Sequence, residues 1–217
     1  MDDDLAVSSG LGFVGRHVRL EPLTPAHAGA LLEVARRGRE SFALTFVPTD
    51  EAAARRYVEL ALVEQAAGRA VPFATVDAVT GRVVGTTRFL NIERWVWPPG
   101  HALQRPPERP DVVEIGATWI DPAAQRTGVN TEAKLFMLTH AFEVWEVHRV
   151  TLMTDARNAR CREAILRLGA RHDGVLRAAR PAADGALRDT AVYSILRAEW
   201  PACKVALLRR ARSASEP

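Results

Sequence analysis

The sequence predicts a mixed α/β fold organised as one domain. Segments with strand-like and helix-like apolar patterns alternate along most of the chain. The 217 residues suffice for one domain with a sizeable core, and 47% hydrophobic with 25% charged residues is ordinary for a globular protein. An apolar run over residues 112–120 also leads through a polar loop into a second apolar run that ends at Trp145. This succession predicts a central strand joined to a buried helix.

The N-terminal half is predicted to contain one strand, two helices and a hairpin. Alternation of apolar and polar residues predicts the first strand. Asp50 is a favourable N-cap residue for the second helix, and Thr80 with Gly81 supplies the hairpin turn. The predicted elements are a strand over 17–23, a helix over 25–37, a helix over 51–65, and strands over 71–77 and 82–92.

The C-terminal half continues the alternation. Gly169 is a usual residue just beyond a helix end and fixes one boundary. Residues 94–110 are rich in Pro and Trp and are too long for an ordinary connector. The predicted elements are a strand over 112–120, a buried helix over 131–145, a strand over 149–154, a helix over 159–168, strands at 172–180 and 187–196, and a helix over 198–210.

Composition argues against several classes of protein. Residues 1–4 are acidic and no apolar stretch approaches membrane-spanning length, so we expect a cytoplasmic protein with no membrane partner. Cys161 and Cys203 are too few for a disulfide framework or metal cluster, and the six histidines lack ligand-like spacing. We therefore expect no metal. The net charge of +3 is modest and the arginine clusters lack interleaved aromatic residues, so no nucleic-acid partner is expected.

Residues 121–134 predict an anion site between the central strand and the buried helix. Unpaired backbone N–H groups and the positive end of a helix dipole both face such a loop. Gly128 would allow close approach of the backbone to a ligand. The P-loop pattern and the three-glycine dinucleotide pattern are both absent. A phosphate-bearing ligand is therefore predicted, with an ordinary strand–loop–helix connection as the alternative.

Residues 125–130, Gln-Arg-Thr-Gly-Val-Asn, resemble the pyrophosphate loop of the GNAT superfamily of acyl-CoA-dependent N-acyltransferases. Asn130 replaces the final small residue of that loop. The later motifs are similar, in the same order, to those of the ribosomal-protein acetyltransferase branch (the RimJ/RimL-like proteins). These motifs lie at 148–152, 155–161, 165–170, 173–177 and 188–194. The resemblance spans roughly residues 15–200.

This resemblance implies a mostly antiparallel central sheet flanked by helices, with the CoA in a cleft between splayed central strands. It implies acetyl transfer from acetyl-CoA to a primary amine, which belongs to a protein N-terminus or to a small amino compound. The amine would attack the thioester directly in a ternary complex. Residues 1–14 would be a flexible N-terminus, 15–200 the catalytic domain and 201–217 a C-terminal helix and tail. The residues it implies for CoA binding are Trp119, Ile120, Gln125, Arg126, Thr127, Gly128, Val129, Asn130, Thr131 and Asn158.

Glu114 is the candidate general base. Counting alternate positions places Glu114 and Gly116 on one face of the strand, and Val113 and Trp119 on the apolar face. Glu114 also lies eleven residues before Gln125, the spacing of the base in the histone-acetylating relatives. Partial burial would raise its pKa towards a useful value. The alternative is a solvated or salt-bridged glutamate.

Cys161 and Asn158 have two interpretations each. Cys161 occupies the position of a serine that is proposed, in the ribosomal branch, to protonate the departing thiolate, whereas the commoner tyrosine falls on Ile165. A buried cysteine can equally be inert packing. Asn158 would bridge strand backbone and the pantetheine arm of CoA, or act as a simple N-cap. Oxyanion stabilisation is expected from backbone N–H groups near Trp119 and Ile120.

The acceptor side is less defined. Trp95 and Trp97 in the 94–110 insertion would form an acceptor-pocket wall or a homodimer contact, or else pack within their own loop. Arg88 would contact an acceptor carboxylate or lie on the surface. The replacements at Asn130 and Ile165 leave open a second function, that of a non-catalytic acyl-CoA-binding sensor or scaffold.

Overall fold

The computed structural model describes residues 7–8 and 11–213, which form a single sheet with helices on both faces. The strands are β1 (Val7–Ser8), β2 (Gly12–Val14), β3 (Val18–Pro22), β4 (Val71–Asp77), β5 (Val83–Glu93), β6 (Val112–Ile120), β7 (Arg149–Asp155), β8 (Arg171–Pro181) and β9 (Leu187–Leu196). The α-helices are α1 (Ala28–Arg37), α2 (Glu51–Ala66), α3 (Gly128–Thr139), α4 (Ala159–Arg167) and α5 (Trp200–Ser213).

The strands follow the order β1-β2-β3-β4-β5-β6-β7-β9-β8 across the sheet. Every neighbouring pair is antiparallel except β6 and β7, which are parallel. The predicted mixed fold with a mostly antiparallel sheet is therefore confirmed. The parallel pair is joined by α3, as a crossover between parallel strands requires.

The helices divide between the two faces and bury separate cores. Side chains of α3, α4 and α5, among them Met137, Ile165 and Leu207, form the larger core with one face of the sheet. Leu31 of α1 and Val58 of α2 belong to a smaller core on the other face. Asp50 caps α2 by accepting a hydrogen bond from the Ala53 N–H, as its residue type predicts.

The sheet and core extend beyond residues 15–200 at both ends. β2 belongs to the sheet, and Phe13 of that strand pairs with Leu20 and is buried. The remainder of the expected flexible N-terminus, residues 1–6 and 9–10, lies outside the described residues. At the other end α5 is integral to the domain, since Trp200 and Leu207 lie in the larger core.

The predicted helix over 131–145 differs from the observed one at both ends. The α-helix begins three residues earlier, at Gly128, because Thr127 provides an N-cap. It ends at Thr139 and continues as a π-helical turn, His140–Val144. The early start matters for the anion site, because it decides which backbone N–H groups lack a helical partner.

A bulge in β6 reverses the side-chain alternation that the sequence predicts. Ala117 has a φ of +47°, and the pairing register with β5 shifts at this point. Val113 and Ile115 therefore lie in the larger core, whereas Trp119 lies in the smaller core on the opposite face. The prediction that Val113 and Trp119 share one face is wrong, because the bulge inserts one residue into the alternation.

β6 and β7 diverge along their length. They pair only through Val112, Val113 and Glu114 on β6, so residues 115–120 have no partner on β7. The strands separate towards the end at which β6 enters the 121–127 loop. This divergence opens a cleft between the two central strands. Separately, none of the helices in the described part of the chain is long and apolar enough to cross a membrane.

Candidate functional site

The loop after β6 and the first turn of α3 form the wide end of the cleft. The Thr127 hydroxyl accepts a hydrogen bond from the Val129 N–H at 3.3 Å and donates one to the Ala124 carbonyl at 2.7 Å. Because α3 starts at Gly128, the N–H groups of residues 128–130 have no helical carbonyl four residues earlier to which they could donate. Arg126, with a φ of +62°, turns the chain into the helix. The first turn thus presents backbone N–H groups, as an anion site requires.

Thr131, one of the residues that the resemblance implies for CoA binding, lies in the first turn of α3. It is the fourth helical residue, and helix geometry directs its N–H to the Thr127 carbonyl. The N–H groups without a helical acceptor therefore belong to residues 128–130. The Asn130 side-chain oxygen is buried and has no hydrogen-bond partner among the described residues.

His17 occupies the space beside Gly128. A Cβ built on Gly128 would lie 2.5 Å from Cδ2 of the His17 ring. The absence of a side chain at Gly128 therefore allows the His17 ring to lie close to the backbone. Glu132 holds the His17 segment in place, because its carboxylate accepts hydrogen bonds from the N–H groups of Arg16, His17 and Val18, the last two at 2.7 and 2.8 Å.

Gln125 links three parts of the chain at the cleft. Its Nε2 donates to the Ile120 carbonyl at 2.9 Å and to Oγ of Ser41 at 3.0 Å, and its Oε1 accepts from Arg160 Nη2 at 2.5 Å. The side chain therefore connects the end of β6, the segment after α1 and the start of α4. This network fixes the loop from which the helix begins.

Asn158 and Cys161 lie at the start of α4, the helix that follows β7. The Asn158 Oδ1 accepts a hydrogen bond from the Cys161 N–H at 3.0 Å, so Asn158 caps the helix. The Cys161 thiol is partly buried against the larger core and is free. It lies near both Lys134 of α3 and Arg188 of β9.

Glu114 lies at the point where β6 and β7 part. Its side chain is 5% exposed and its Oε2 accepts a hydrogen bond from Asn91 Nδ2 at 2.6 Å. Burial raises the pKa of Glu114, while Arg180, at 3.9 Å, opposes that shift together with the Asn91 hydrogen bond. A Cβ on Gly116 would lie 2.9 Å from the Glu114 Oε1, so the carboxylate leans along the strand towards the cleft.

The backbone N–H groups of β6 alternate between its two edges. The Asp121 N–H donates to the Val84 carbonyl of β5 at 2.7 Å. The Trp119 N–H, two residues earlier, therefore points to β5 as well, whereas those of Thr118 and Ile120 point towards β7. Of the two residues near which oxyanion donors are expected, this pattern favours Ile120 over Trp119. The Trp119 indole instead donates to the Tyr57 hydroxyl at 3.0 Å within the smaller core.

The candidate acceptor residues do not form one group. Arg88 lies over the Tyr57 ring, 5.1 Å from its centroid, on the same face as Glu114. The insertion joins the other end of β6, before Val112. There the rings of Trp95 and Trp97 are 5.4 Å apart and both contact the His148 ring.

The insertion is held largely by contacts with residues outside it. The backbone N–H of Trp95 and the indole of Trp97 both donate to Asp111, and Arg105 donates to the carbonyls of Trp145 and Glu146. Trp95 remains 45% exposed. The Trp97 ring therefore packs both within the loop and against His148, while part of the Trp95 ring is accessible.

The sequence patterns did not single out several charged groups around the cleft. Arg180 and Arg188 form a cross-strand pair beside Glu114, and Lys134 of α3 is buried beneath β6. No local pattern connects Glu114 with arginines more than 60 residues away. No group of three His, Cys, Asp or Glu side chains in the described ranges could hold a metal ion.

Comparison with known proteins agrees with this geometry. The model of the acetyltransferase (GNAT) domain matches residues 17–171. A GCN5-related N-acetyltransferase from Brucella melitensis is 26% identical, with a TM-score of 0.74 over 95% of this chain and 87% of that one. A T. thermophilus protein assigned as an acetyltransferase is 35% identical, with a TM-score of 0.73 over 92% and 96%.

RimJ of Mycobacterium smegmatis, solved with CoA-disulfide, shares the fold at 20% identity, with a TM-score of 0.72 over 90% of each chain. No curated protein matches this sequence at a significant level. The domain match covers well over half of the chain, and the splayed strands with an anion loop at their wide end are present. The chain belongs to the GNAT acetyltransferase family.

Proposed function

We propose that this protein transfers an acetyl group from acetyl-CoA to a primary amine. The observation that carries the proposal is the parting of β6 from β7 between Glu114 and the anion loop. A buried carboxylate lies at the narrow end of the cleft and backbone donors lie at its wide end. The family supports acyl-CoA-dependent acetyl transfer, whereas the amine acceptor and the residue roles below are our proposals.

The cleft fits an extended, amide-bearing arm attached to a pyrophosphate. Residues 115–120 of β6 have no partner on β7, so the Thr118 and Ile120 N–H groups are available to such an arm. The first turn of α3 would take the pyrophosphate through the N–H groups of Gly128 and Asn130, with Arg126 beside them. Asn158 would contribute its amide nitrogen, because its oxygen is used by the helix cap.

Glu114 is the proposed general base. It lies on the face that α3 does not cover, and burial raises its pKa towards neutrality, where a base is most effective. The Asn91 hydrogen bond orients its carboxylate. The Thr118 N–H would stabilise the oxyanion that forms when the amine attacks the thioester. The Cys161 thiol at the start of α4 is the proposed proton donor to the departing sulfur.

The acceptor would approach from the face that carries Glu114 and Arg180. Both a protein N-terminus and a small amino compound remain candidates. Two solved structures with this fold are described as ribosomal-protein-serine and ribosomal-protein-S5-alanine acetyltransferases, at 19% and 18% identity. We place this chain with the RimJ/RimL-like branch on the order of its sequence motifs.

An amine screen tests the proposal. Purified protein is incubated with acetyl-CoA and a panel of peptides with free N-termini, amino acids and simple amines, and released CoA thiol is measured. Mass spectrometry then locates the acetyl group on the acceptor. We expect transfer to at least one class of primary amine. Tight CoA binding without transfer to any amine would contradict the enzyme and support a non-catalytic acyl-CoA-binding module.

A further inference from the structure

Lys134 is a buried cation beneath the central strands. It is 5% exposed, and only it and Lys204 are lysines among the 29 Lys and Arg residues of the chain. Its Nζ donates to the hydroxyls of Thr118 at 2.7 Å and Thr87 at 3.0 Å. Those two hydroxyls are themselves 2.7 Å apart. The ammonium thus contacts two neutral groups and neither partner is a carboxylate.

This arrangement is unfavourable for folding. A buried charge without an ionic partner loses hydration that two hydroxyls replace only in part. Burial accordingly lowers the pKa of Lys134 to about 7, and the nearby Cys161 thiol acts weakly in the opposite direction. An apolar side chain of the same length would fill this position at lower cost. Perturbed ionisable groups in clefts are candidates for functional roles for this reason.

The position of Thr118 connects Lys134 to the reaction site. Thr118 follows the bulge at Ala117 and belongs to the part of β6 that has no partner on β7. Its side chain reaches α3. The alternation of N–H groups back from Asp121 directs its own N–H towards β7, on the side of the cleft. A change in how Lys134 holds the Thr118 hydroxyl would therefore move the backbone donor proposed to stabilise the oxyanion.

We propose that Lys134 is a positioning residue of the transfer site, which fixes Thr118 and the bulged segment of β6 and places a positive charge beneath the reacting thioester. When Lys134 is protonated, its charge favours the oxyanion and the departing thiolate, both of which are negative. This inference rests on the proposed acetyl transfer. Of the residues around Lys134, Cys161 on α4 is the titratable group that acts on it, and Thr87 and Thr118 are neutral.

The first test compares Lys134→Met with wild-type enzyme. Methionine keeps the length and removes the charge. We expect kcat to fall about 10- to 100-fold, less than the roughly 100- to 1,000-fold for loss of a direct oxyanion donor, because Lys134 acts through Thr118. The KM for acetyl-CoA should change less than threefold. Thermal stability should be maintained or increased, because the buried charge is gone. A structural role predicts the opposite result, with stability and activity lost together.

Three further variants make this test specific. Thr118→Val removes the hydroxyl and keeps the side-chain shape, and its effect on kcat should not add to that of Lys134→Met if Lys134 acts through Thr118. Lys204→Met is the matched control, since Lys204 pairs with Glu143 on the far side of the larger core. It should leave kcat unchanged. Additive effects of the Lys134 and Thr118 variants would overturn the positioning role.

A direct titration separates this inference from the proposed function. With two lysines in the chain, labelled lysine gives two side-chain NMR resonances, and Lys204→Met assigns them. We expect Lys134 to titrate near neutral pH and its resonance to shift when CoA is added. If the wild-type enzyme transfers no acetyl group but this shift occurs, the acceptor proposal fails and the placement of Lys134 stands. A Lys134 resonance that does not shift when CoA is added would overturn the inference.

Discussion

The Cα of Gly128 faces the ring of His17, and this contact decides what a side chain at position 128 would do. A Cβ there would lie 2.5 and 2.6 Å from two atoms of the ring, so the ring would have to move. The His17 segment is fixed by three hydrogen bonds to Glu132 and has little freedom to adjust. Gly128 thus couples the start of β3 to the start of α3.

Gly128→Ala should lower the free energy of unfolding by about 1–3 kcal/mol through overpacking. Gly29→Ala is the matched control, because no atom lies within 4 Å of a Cβ at that helical position. It should stabilise the protein by up to about 1 kcal/mol, since Ala favours helix over Gly. Urea unfolding measures both. A Gly128→Ala variant as stable as wild type, or one not rescued by His17→Ala, would contradict the packing argument.

Glu114→Gln should lower kcat/KM by about 100-fold or more near neutral pH, because general base catalysis contributes that much. The wild-type rate should rise with pH as Glu114 deprotonates at a pKa that burial has raised. The variant should lose this pH-dependent rise in rate. Its activity should recover partly at high pH, where the acceptor amine deprotonates without a base. CoA affinity, measured by calorimetry, should stay within a few-fold. An unchanged pH–rate profile would leave Glu114 a structural role only.

Among the elements, β6 carries most of the site. One of its ends pairs with β7 and bears Glu114, its middle is bulged at Ala117, and its other end enters the anion loop. The nine residues of β6 span roughly 30 Å at 3.3 Å per residue. The 94–110 insertion and the first turn of α3 therefore lie at opposite ends of one strand.

Replacing both Trp95 and Trp97 by Ala should raise the acceptor KM, alter acceptor preference or change the oligomeric state, while CoA affinity stays within a few-fold. The loss of ring contacts with His148 should also reduce stability. Val96→Ala is the control, because Val96 lies between the two tryptophans and is 99% exposed. Kinetics, calorimetry and light scattering give the readouts. A weakened CoA affinity with an unchanged acceptor KM at saturating acetyl-CoA would contradict the placement of the insertion.

At the scale of the whole molecule, the larger core contains a histidine that resists protonation. The His140 ring lies in the π-helical turn among Phe13, Phe89 and Trp145, and both of its nitrogens are buried without a hydrogen-bond partner among the described residues. Burial lowers the pKa of His140 from 6.5 to about 4. The folded protein thus binds fewer protons than the unfolded chain between these two values.

Stability should therefore be full above about pH 6.5 and should fall as the pH drops towards 4, by about 3 kcal/mol from His140 at 1.36 kcal/mol per pH unit. His148, whose pKa is lowered mainly by burial, adds to the loss in the same direction. His140→Phe preserves the ring packing and removes the titration. Urea unfolding at several pH values should show a flatter profile for the variant. Equal pH dependence in both proteins would contradict this account.

The sequence by itself determined the succession of strands and helices from β3 onwards, the strand over residues 112–120 and the loop-to-helix connection that follows it. These features depend on local patterns, namely apolar periodicity, N-cap residues and turn residues, which neighbouring positions carry. Glu114 and Asn158 could be named from strand position, spacing and family motifs. The strand over Val112–Ile120 has the predicted bounds, as does the first hairpin strand, Val71–Asp77.

Tertiary structure alone decided the faces and partners of the side chains. The bulge at Ala117 moved Trp119 to the opposite face, and no local pattern marks a bulge at an alanine. The contact of His17 with Gly128 and the approach of Arg180 to Glu114 join residues more than 60 positions apart. Lys134 became distinctive only when its helix placed it beneath Thr118. Such contacts depend on which segments the sheet brings together, because local sequence specifies an element but not its neighbours.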